Sequence, residues 1–328
     1  MPFAVSRHFA LLAALACASS PLSAQEKSLP QQIADVIVQL NGGVHTGFRF
    51  MHAKGLVVTG TFTPAPGARS ISTAAHFAKP VPVTVRFSDG TGVPTIPDTD
   101  TRGSPRGMAI RFMLPGGAFT DIVALSHNGF VVGTGEDFLA FLTAVAHTTP
   151  QSPHPNPVEQ FLQAHPRALK FVQDVQPLPV SFATLGYFGN NAFVFVDSAG
   201  TKRAGRYQIL PAAGIATLDS VKAAKAGPEY LFQDLKRRLA RGPVRFRLVA
   251  QMAGPGDKTS DGSLVWPADR KIVELGSLSL TTVAPNNEEL QRTLTFNPIF
   301  LTPGIQLSDD PLVPLRSAVY ALSVAHRH

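Results

Sequence analysis

Seven short stretches of alternating hydrophobicity, set apart by Gly, Pro and Asp turns, restrict the folds open to this chain more than any other feature. They are Leu56–Phe62, Val81–Phe87, Gly107–Phe112, Asp121–Leu125, Ala192–Val196, Gly205–Leu210 and Val244–Gln251. Period-two alternation with β-branched residues predicts half-buried strands. Helical periodicity marks Leu29–Leu40, Glu136–Ala146, Pro157–Val175 and Tyr230–Ala240. Strands and helices do not alternate as βαβ units, and no repeat of fixed period is present. The expectation is an α+β fold, an antiparallel β-barrel with inserted and flanking helices. Loops at 148–156 and 253–261 do not read as domain linkers. At 328 residues and 44% hydrophobic content the chain can bury a large core.

The formal net charge is +7, but Lys and Arg are scattered. This suits a basic surface rather than a nucleic-acid groove. Residues 1–24 have the pattern of an export signal: Arg7, the apolar run Phe9 to Ala18, then small residues ending at Ser23-Ala24. That predicts a single domain over 25–328 and a periplasmic destination. The run is too short to span a bilayer. A second route is lipoprotein processing at Cys17, although Ala14 stands where a leucine is usual; without lipidation no stable membrane insertion is expected. With one cysteine in the chain, disulfides, zinc-cysteine clusters, iron–sulfur centres and covalent haem attachment are excluded.

Near the end, Arg316 and Tyr320 are four residues apart in a helical segment, which places guanidinium and phenol on one face. A free phenol ionises at about pH 10, and a fixed positive charge nearby favours the phenolate, a ligand for ferric iron. On its own the stretch also suits a terminal amphipathic helix with a snorkelling tyrosine. Arg327, two helical turns further on, could hold an anion beside the same metal. Three earlier segments carry candidate chemistry. These are Arg49-x-x-His52-Ala-Lys-Gly55, Val85-Arg86-Phe87-Ser88, where strand alternation puts Arg86 and Ser88 on one face, and Arg106-Gly107 leading into Met108–Phe112.

Taken in order, these segments resemble the haem catalase superfamily. The resemblance resumes through Trp266-Pro-x-Asp269, Gly276-x-Leu278, Asn286-Asn287, Phe296-Asn-Pro298, Pro303-Gly-Ile305 and Ser308-x-Asp310, and ends at Arg316 and Tyr320. Residues 147–260 carry it weakly. It implies non-covalent haem b with Tyr320 as the axial ligand to iron. Arg316 would keep Tyr320 a phenolate, His52 would be the distal acid/base, and Ser88 would hold the far nitrogen of His52. Arg49, Arg86 and Arg327 would bind the haem propionates, and Phe138 would lie against the haem on its distal side.

Two departures shape the functional expectation. Ungapped counting from Asp121, or back from Phe138, puts Leu125 where the family has a distal asparagine; the nearest asparagine is Asn128. The chain also ends eight residues after Tyr320, and its N-terminal arm is short, so the accessories of large tetrameric catalases are expected to be absent. Both departures resemble the small, exported catalase-related peroxidases. They imply reduction of hydrogen peroxide or organic hydroperoxides by a small organic donor, in a monomer or small homo-oligomer. Other readings are a true catalase, a haem-carrying protein without activity, and an enzyme that rearranges fatty-acid hydroperoxides.

Overall fold

The predicted strands join one antiparallel sheet that closes on itself. The structure, a computed structural model, describes residues 26–174 and 177–327. The signal segment, Cys17 and Val175 lie outside the described residues. The strands are β1 (Gly55–Pro64), β2 (Val81–Ser88), β3 (Gly107–Met113), β4 (Phe119–Leu125), β5 (Tyr187–Phe188), β6 (Phe193–Val196), β7 (Lys202–Pro211), β8 (Val244–Met252), β9 (Ile272–Val283) and β10 (Ile305–Leu307). An eight-stranded ring runs β1-β2-β3-β4-β5-β7-β8-β9 and returns to β1. The short β5 and β6 pair with successive parts of β7, and β10 extends the sheet beyond β6. The expected α+β barrel is present.

Around it lie α1 (Leu29–Leu40), α2 (Gly135–Ala146), α3 (Pro157–Ala164), α4 (Pro166–Gln173), α5 (Ser220–Lys225), α6 (Tyr230–Arg241), α7 (Asn287–Thr293) and α8 (Leu312–Ala325). The helix expected over Pro157–Val175 is two helices, because Pro166 has no N–H to continue the ladder past His165. No described helix is long and apolar enough to cross a membrane.

Alternation along the strands makes two environments. Val83, Val85 and Phe87 on β2, Ile110 and Phe112 on β3, and Ile122 on β4 point into the barrel core with Phe62, Phe182 and Phe246. Arg86 and Ser88, Gly107 and Ala109, and Val123 and Leu125 lie between them in sequence and line a cavity. The other side of that cavity belongs to a helical layer, in which Ile33 and Ile37 of α1, Leu142 of α2, and Leu315, Val319 and Leu322 of α8 pack together.

One core residue departs from this pattern. His76 is buried between Phe77, 4.1 Å away, and Phe112, 4.6 Å away, and neither ring nitrogen has a hydrogen-bond partner. Each fully buried phenylalanine contributes about 1.5–3 kcal/mol, enough to offset the cost of about 1–3 kcal/mol for a neutral unsatisfied group. Burial lowers the His76 pKa to about 3. An unfolded histidine titrates near pH 6.5. The folded form therefore loses stability as pH falls from about 6.5 towards 3, by up to roughly 1.4 kcal/mol per pH unit. A His76→Leu variant should gain urea resistance relative to the parent on going from pH 7.5 to pH 5. His52 titrates alike in both proteins and cancels from the comparison.

Candidate active site

On the helical side, the Asp310 carboxylate accepts the Leu312 N–H at 2.9 Å and so starts α8. One turn on, the Arg316 Nη2 donates to the Tyr320 hydroxyl oxygen at 2.9 Å, as the four-residue spacing predicts. The Arg316 Nη1 donates to the Asn191 Oδ1, and the Asn191 Nδ2 donates to the Asp310 Oδ2 at 2.8 Å. The phenol is thus the end of a chain, Asp310 to Asn191 to Arg316 to Tyr320, that fixes the guanidinium from behind. Arg327 lies beyond the end of α8 at Ala325 rather than in a continued helix, and its N–H closes a turn on the Val324 carbonyl.

On the barrel side, His52 stands at φ 57°, in the left-handed region that a non-glycine residue enters at a cost. Three neighbours hold it there. Its N–H donates to the Gly90 carbonyl at 3.3 Å, its Nδ1 lies 3.0 Å from the Ser88 Oγ, and its ring faces the Asp89 carbonyl. A Cβ added at Gly107 would come within 2.8 Å of the imidazole Nδ1 and 2.6 Å of the Ser88 Oγ. At Gly55 it would overlap the Arg86 guanidinium at 2.3 Å. Both glycines therefore give the site its clearance. Burial first, and then the charge of Arg86, lowers the His52 pKa to about 3, with the Asp89 carbonyl opposing. At neutral pH the imidazole is uncharged and can accept a proton.

Three arginines share one rim of the cavity. The Arg49 Nη1 donates to the Gln291 carbonyl at 2.6 Å, and its Nη2 donates to the Leu294 carbonyl. The Arg86 Nε donates to the Gln291 Oε1 at 2.7 Å, and its Nη2 donates to the carbonyls of His52 and Ala53 at 2.8 and 3.1 Å. Arg327 donates to the Thr295 Oγ1 at 2.6 Å, and its Nε is buried without an acceptor. Burial and mutual repulsion lower the Arg49 pKa, and burial together with Arg327 brings that of Arg86 to about 9. Among the described residues no carboxylate forms an ion pair with any of the three. Buried charges left so are costly unless an anion joins them.

His52, Ser88, Arg49, Arg86, Phe138, Arg316, Tyr320 and Arg327, all singled out in the sequence, line this one cavity of about 1440 Å³, its open mouth included. Leu125 is among the lining residues and Asn128 is not. Phe138 packs on Phe130 at 5.2 Å, so with Val123 and Leu125 it makes an apolar wall beside His52. Two amides also reach the lining, but both are occupied. The Asn190 side chain exchanges hydrogen bonds with the Gly129 backbone, and Asn191 serves Arg316 and Asp310. The sequence reading missed Asn191, Gln291 and the clearance at Gly55 and Gly107. Each acts through a partner far away in the chain, and no local pattern signals it.

Comparison with known proteins adds an independent finding. A family model described as Catalase matches residues 45–328. The chain is 36% identical over 304 residues to a catalase-related peroxidase of Mycolicibacterium paratuberculosis, covering 91% of this chain and 94% of that protein. It is 31% identical to a catalase-related peroxidase of Synechococcus elongatus, covering 91% and 88% respectively. Against a catalase isozyme of Ricinus communis the identity is 27%, and the match spans 60% of that protein's length.

Proposed function

The chain belongs to the catalase family, and from that premise we propose that it is a haem peroxidase that reduces hydrogen peroxide or organic hydroperoxides with a small organic donor. Family membership implies a haem cofactor, and the cavity fits one: it pairs a largely apolar interior with three guanidiniums, those of Arg86 and Arg327 buried and that of Arg49 partly so, none ion-paired to a carboxylate among the described residues. We assign haem b, held without covalent attachment. Arg49, Arg86 and Arg327 would take its two propionates, which suit the guanidinium fork, and Tyr320 would ligate its iron with Arg316 stabilising the phenolate. When bound, the haem would supply the iron at which the peroxide O–O bond is cleaved and would hold the two oxidising equivalents until electrons from the donors discharge them.

The protein's part in the reaction is to move protons and exclude water. With Nδ1 held 3.0 Å from the Ser88 Oγ, we assign the ring proton to that nitrogen, donated to the hydroxyl oxygen, which leaves the Nε2 lone pair free for the cavity. His52 would accept the proton of the peroxide hydroxyl and pass it to the departing oxygen. The overall balance is one hydroperoxide, two electrons and two protons giving one alcohol, or water, and one water. The donors supply both the electrons and the protons. Export by the segment 1–24 makes this a periplasmic antioxidant activity of one domain, active as a monomer or small homo-oligomer.

The preference for an organic donor rests on one observation: Leu125 lines the cavity and no free amide does. A catalase cycle must hold a second hydrogen peroxide beside His52. Beside His52 the described lining offers that molecule Ser88, whose Oγ is already engaged with Nδ1, and no free amide, whereas an apolar hydroperoxide gains contact with Val123, Leu125 and Phe138. The unmodified enzyme is expected to evolve little oxygen from hydrogen peroxide alone and to oxidise aromatic donors. Leu125→Asn should raise oxygen evolution about 2- to 10-fold, the worth of one hydrogen bond of about 0.5–1.5 kcal/mol, while changing donor oxidation less. Vigorous oxygen release by the unmodified protein, far above its donor oxidation, would identify a true catalase instead.

A further inference from the structure

Just beyond the cavity, on the same face of the barrel, lies an ion pair that peroxide chemistry does not touch. Arg111 on β3 and Asp121 on β4 stand opposite each other in the strand register, each two residues from a residue that lines the cavity, Ala109 and Val123. Strand alternation turns all four side chains to one side. The Arg111 Nε and Nη2 donate to the Asp121 Oδ1 and Oδ2, each at 2.8 Å. The Asp121 carboxylate is fully buried, and the Arg111 side chain is 13% exposed. The Arg111 Cζ lies 3.9 Å from the centre of the Phe119 ring, 5.5 Å from that of Phe296 and 5.9 Å from that of Phe300.

Set against apolar side chains of the same volume, a buried ion pair adds little stability. What this pair adds is direction, because each partner makes one more hydrogen bond and both of these go to one loop. The Arg111 Nη2 also donates to the Thr295 carbonyl at 2.5 Å, and the Asp121 Oδ2 also accepts the Asn297 N–H at 3.0 Å. The Asn297 Nδ2 then donates to the Ser317 Oγ of α8 at 2.9 Å. The loop that follows α7 is therefore held at 295 and 297 by the barrel, and at 297 it is tied to the helical layer as well.

The same loop carries acceptors for two of the cavity's three rim arginines. The Leu294 carbonyl accepts from the Arg49 Nη2 and, at 3.3 Å, from the Arg327 Nη1, and the Thr295 Oγ1 accepts from the Arg327 Nη2 at 2.6 Å. Thr295 thus faces both ways, its carbonyl to Arg111 and its hydroxyl to Arg327. A planar guanidinium points where its acceptors hold it, so a shift of this loop re-aims both side chains. We infer that Arg111 and Asp121 are positioning residues for cofactor binding: they fix the 294–297 loop where it aims Arg49 and Arg327 at the haem propionates. The inference rests on the haem reading of the cavity. Arg86 stands outside this device, because its acceptors are Gln291 and the carbonyls of His52 and Ala53. Arg316 does so too, held by Asn191 with Asp310 behind it.

Asp121→Asn tests this, because the amide keeps the volume of the carboxylate but turns one of its two acceptors into a donor facing donors. In the purified haem-loaded protein, transfer of haem to excess apomyoglobin should be about tenfold faster than for the parent, the scale of one hydrogen bond to a charged group. The resting visible spectrum should not change, since Tyr320 and Arg316 are held from elsewhere. Arg111→Lys keeps the charge but loses the fork that reaches three acceptors, and its release rate should fall between the two. In a background carrying Arg49→Gln and Arg327→Gln, Asp121→Asn should change the release rate by less than about twofold, because the groups it acts through are gone. The same factor in both backgrounds would mean a general loosening of the fold and would overturn the inference alone. A changed resting spectrum would place the effect at Tyr320 and would also overturn it. A parent that holds no haem, or whose release rate does not respond to Arg49→Gln with Arg327→Gln, would bring down the haem reading of these arginines and the inference with it. If Asp121→Asn does not fold, Arg111→Lys takes its place in both backgrounds; failure of both to fold would make the pair a requirement of the barrel and would overturn the inference.

Discussion

His52→Ala is expected to keep its haem but to react with hydrogen peroxide at least about a hundredfold more slowly than the parent, the usual scale for a general acid-base group. The residue does not help to hold the propionates, so haem content and the resting spectrum should change little. What the variant loses is the one neutral base in the cavity, kept uncharged by burial and by Arg86. The other histidines near this end of the chain cannot substitute from where they stand. His45 is bonded to the Asn41 carbonyl, His127 lies against Asp174 and the Gly129 carbonyl, and neither lines the cavity. Stopped-flow absorbance after mixing with hydrogen peroxide reads this directly. A rate within a few-fold of the parent would remove His52 from the mechanism.

Tyr320→Phe should lose most of its haem, or retain it with a spectrum no longer that of a five-coordinate ferric phenolate. The substitution deletes a single oxygen, so the packing of α8 against α1 is preserved. It also leaves the Arg316 Nη2 without the acceptor it meets at 2.9 Å. The partly buried guanidinium then keeps only Asn191. The arginines at 49, 86 and 327 remain to attract the propionates, so residual binding is expected to be weak. Haem content per protein and the visible spectrum check the prediction. An unaltered spectrum would exclude Tyr320 as the ligand.

Legibility in the sequence followed the range of the interactions. The Arg316 and Tyr320 pair was readable because a helix brings residues four apart together, and Arg86 with Ser88 because a strand brings residues two apart to one face. The long strand β9 was missed for a physical reason. Its pairing with β8 skips Leu275, where Leu248 faces Gly276 and Val249 faces Glu274, and its pairing with β1 skips Thr281. Each bulge reverses the alternation that marks a strand. Gly276, at φ 154°, also lets the backbone pass where a Cβ would lie 2.4 Å from the Thr63 carbonyl.

The site divided in the same way. Residues with a distinctive chemistry at family positions were found, and the supports that orient them were not. Asn191 is an ordinary amide until the fold sets it between Arg316 and Asp310. Gln291 is one polar residue among several on α7 until Arg49 and Arg86 converge on it. The position of Leu125 was inferred by counting along β4, and its place in the lining agrees with that count.

The most direct test of the peroxidase assignment is a stoichiometric one. Purified haem-loaded protein is given a limiting amount of hydrogen peroxide in the presence of a small aromatic donor, while dissolved oxygen and oxidised donor are measured together. The account predicts two one-electron donors oxidised for each peroxide consumed, with little oxygen released. Half a molecule of oxygen released per peroxide, with the donor left intact, would contradict it.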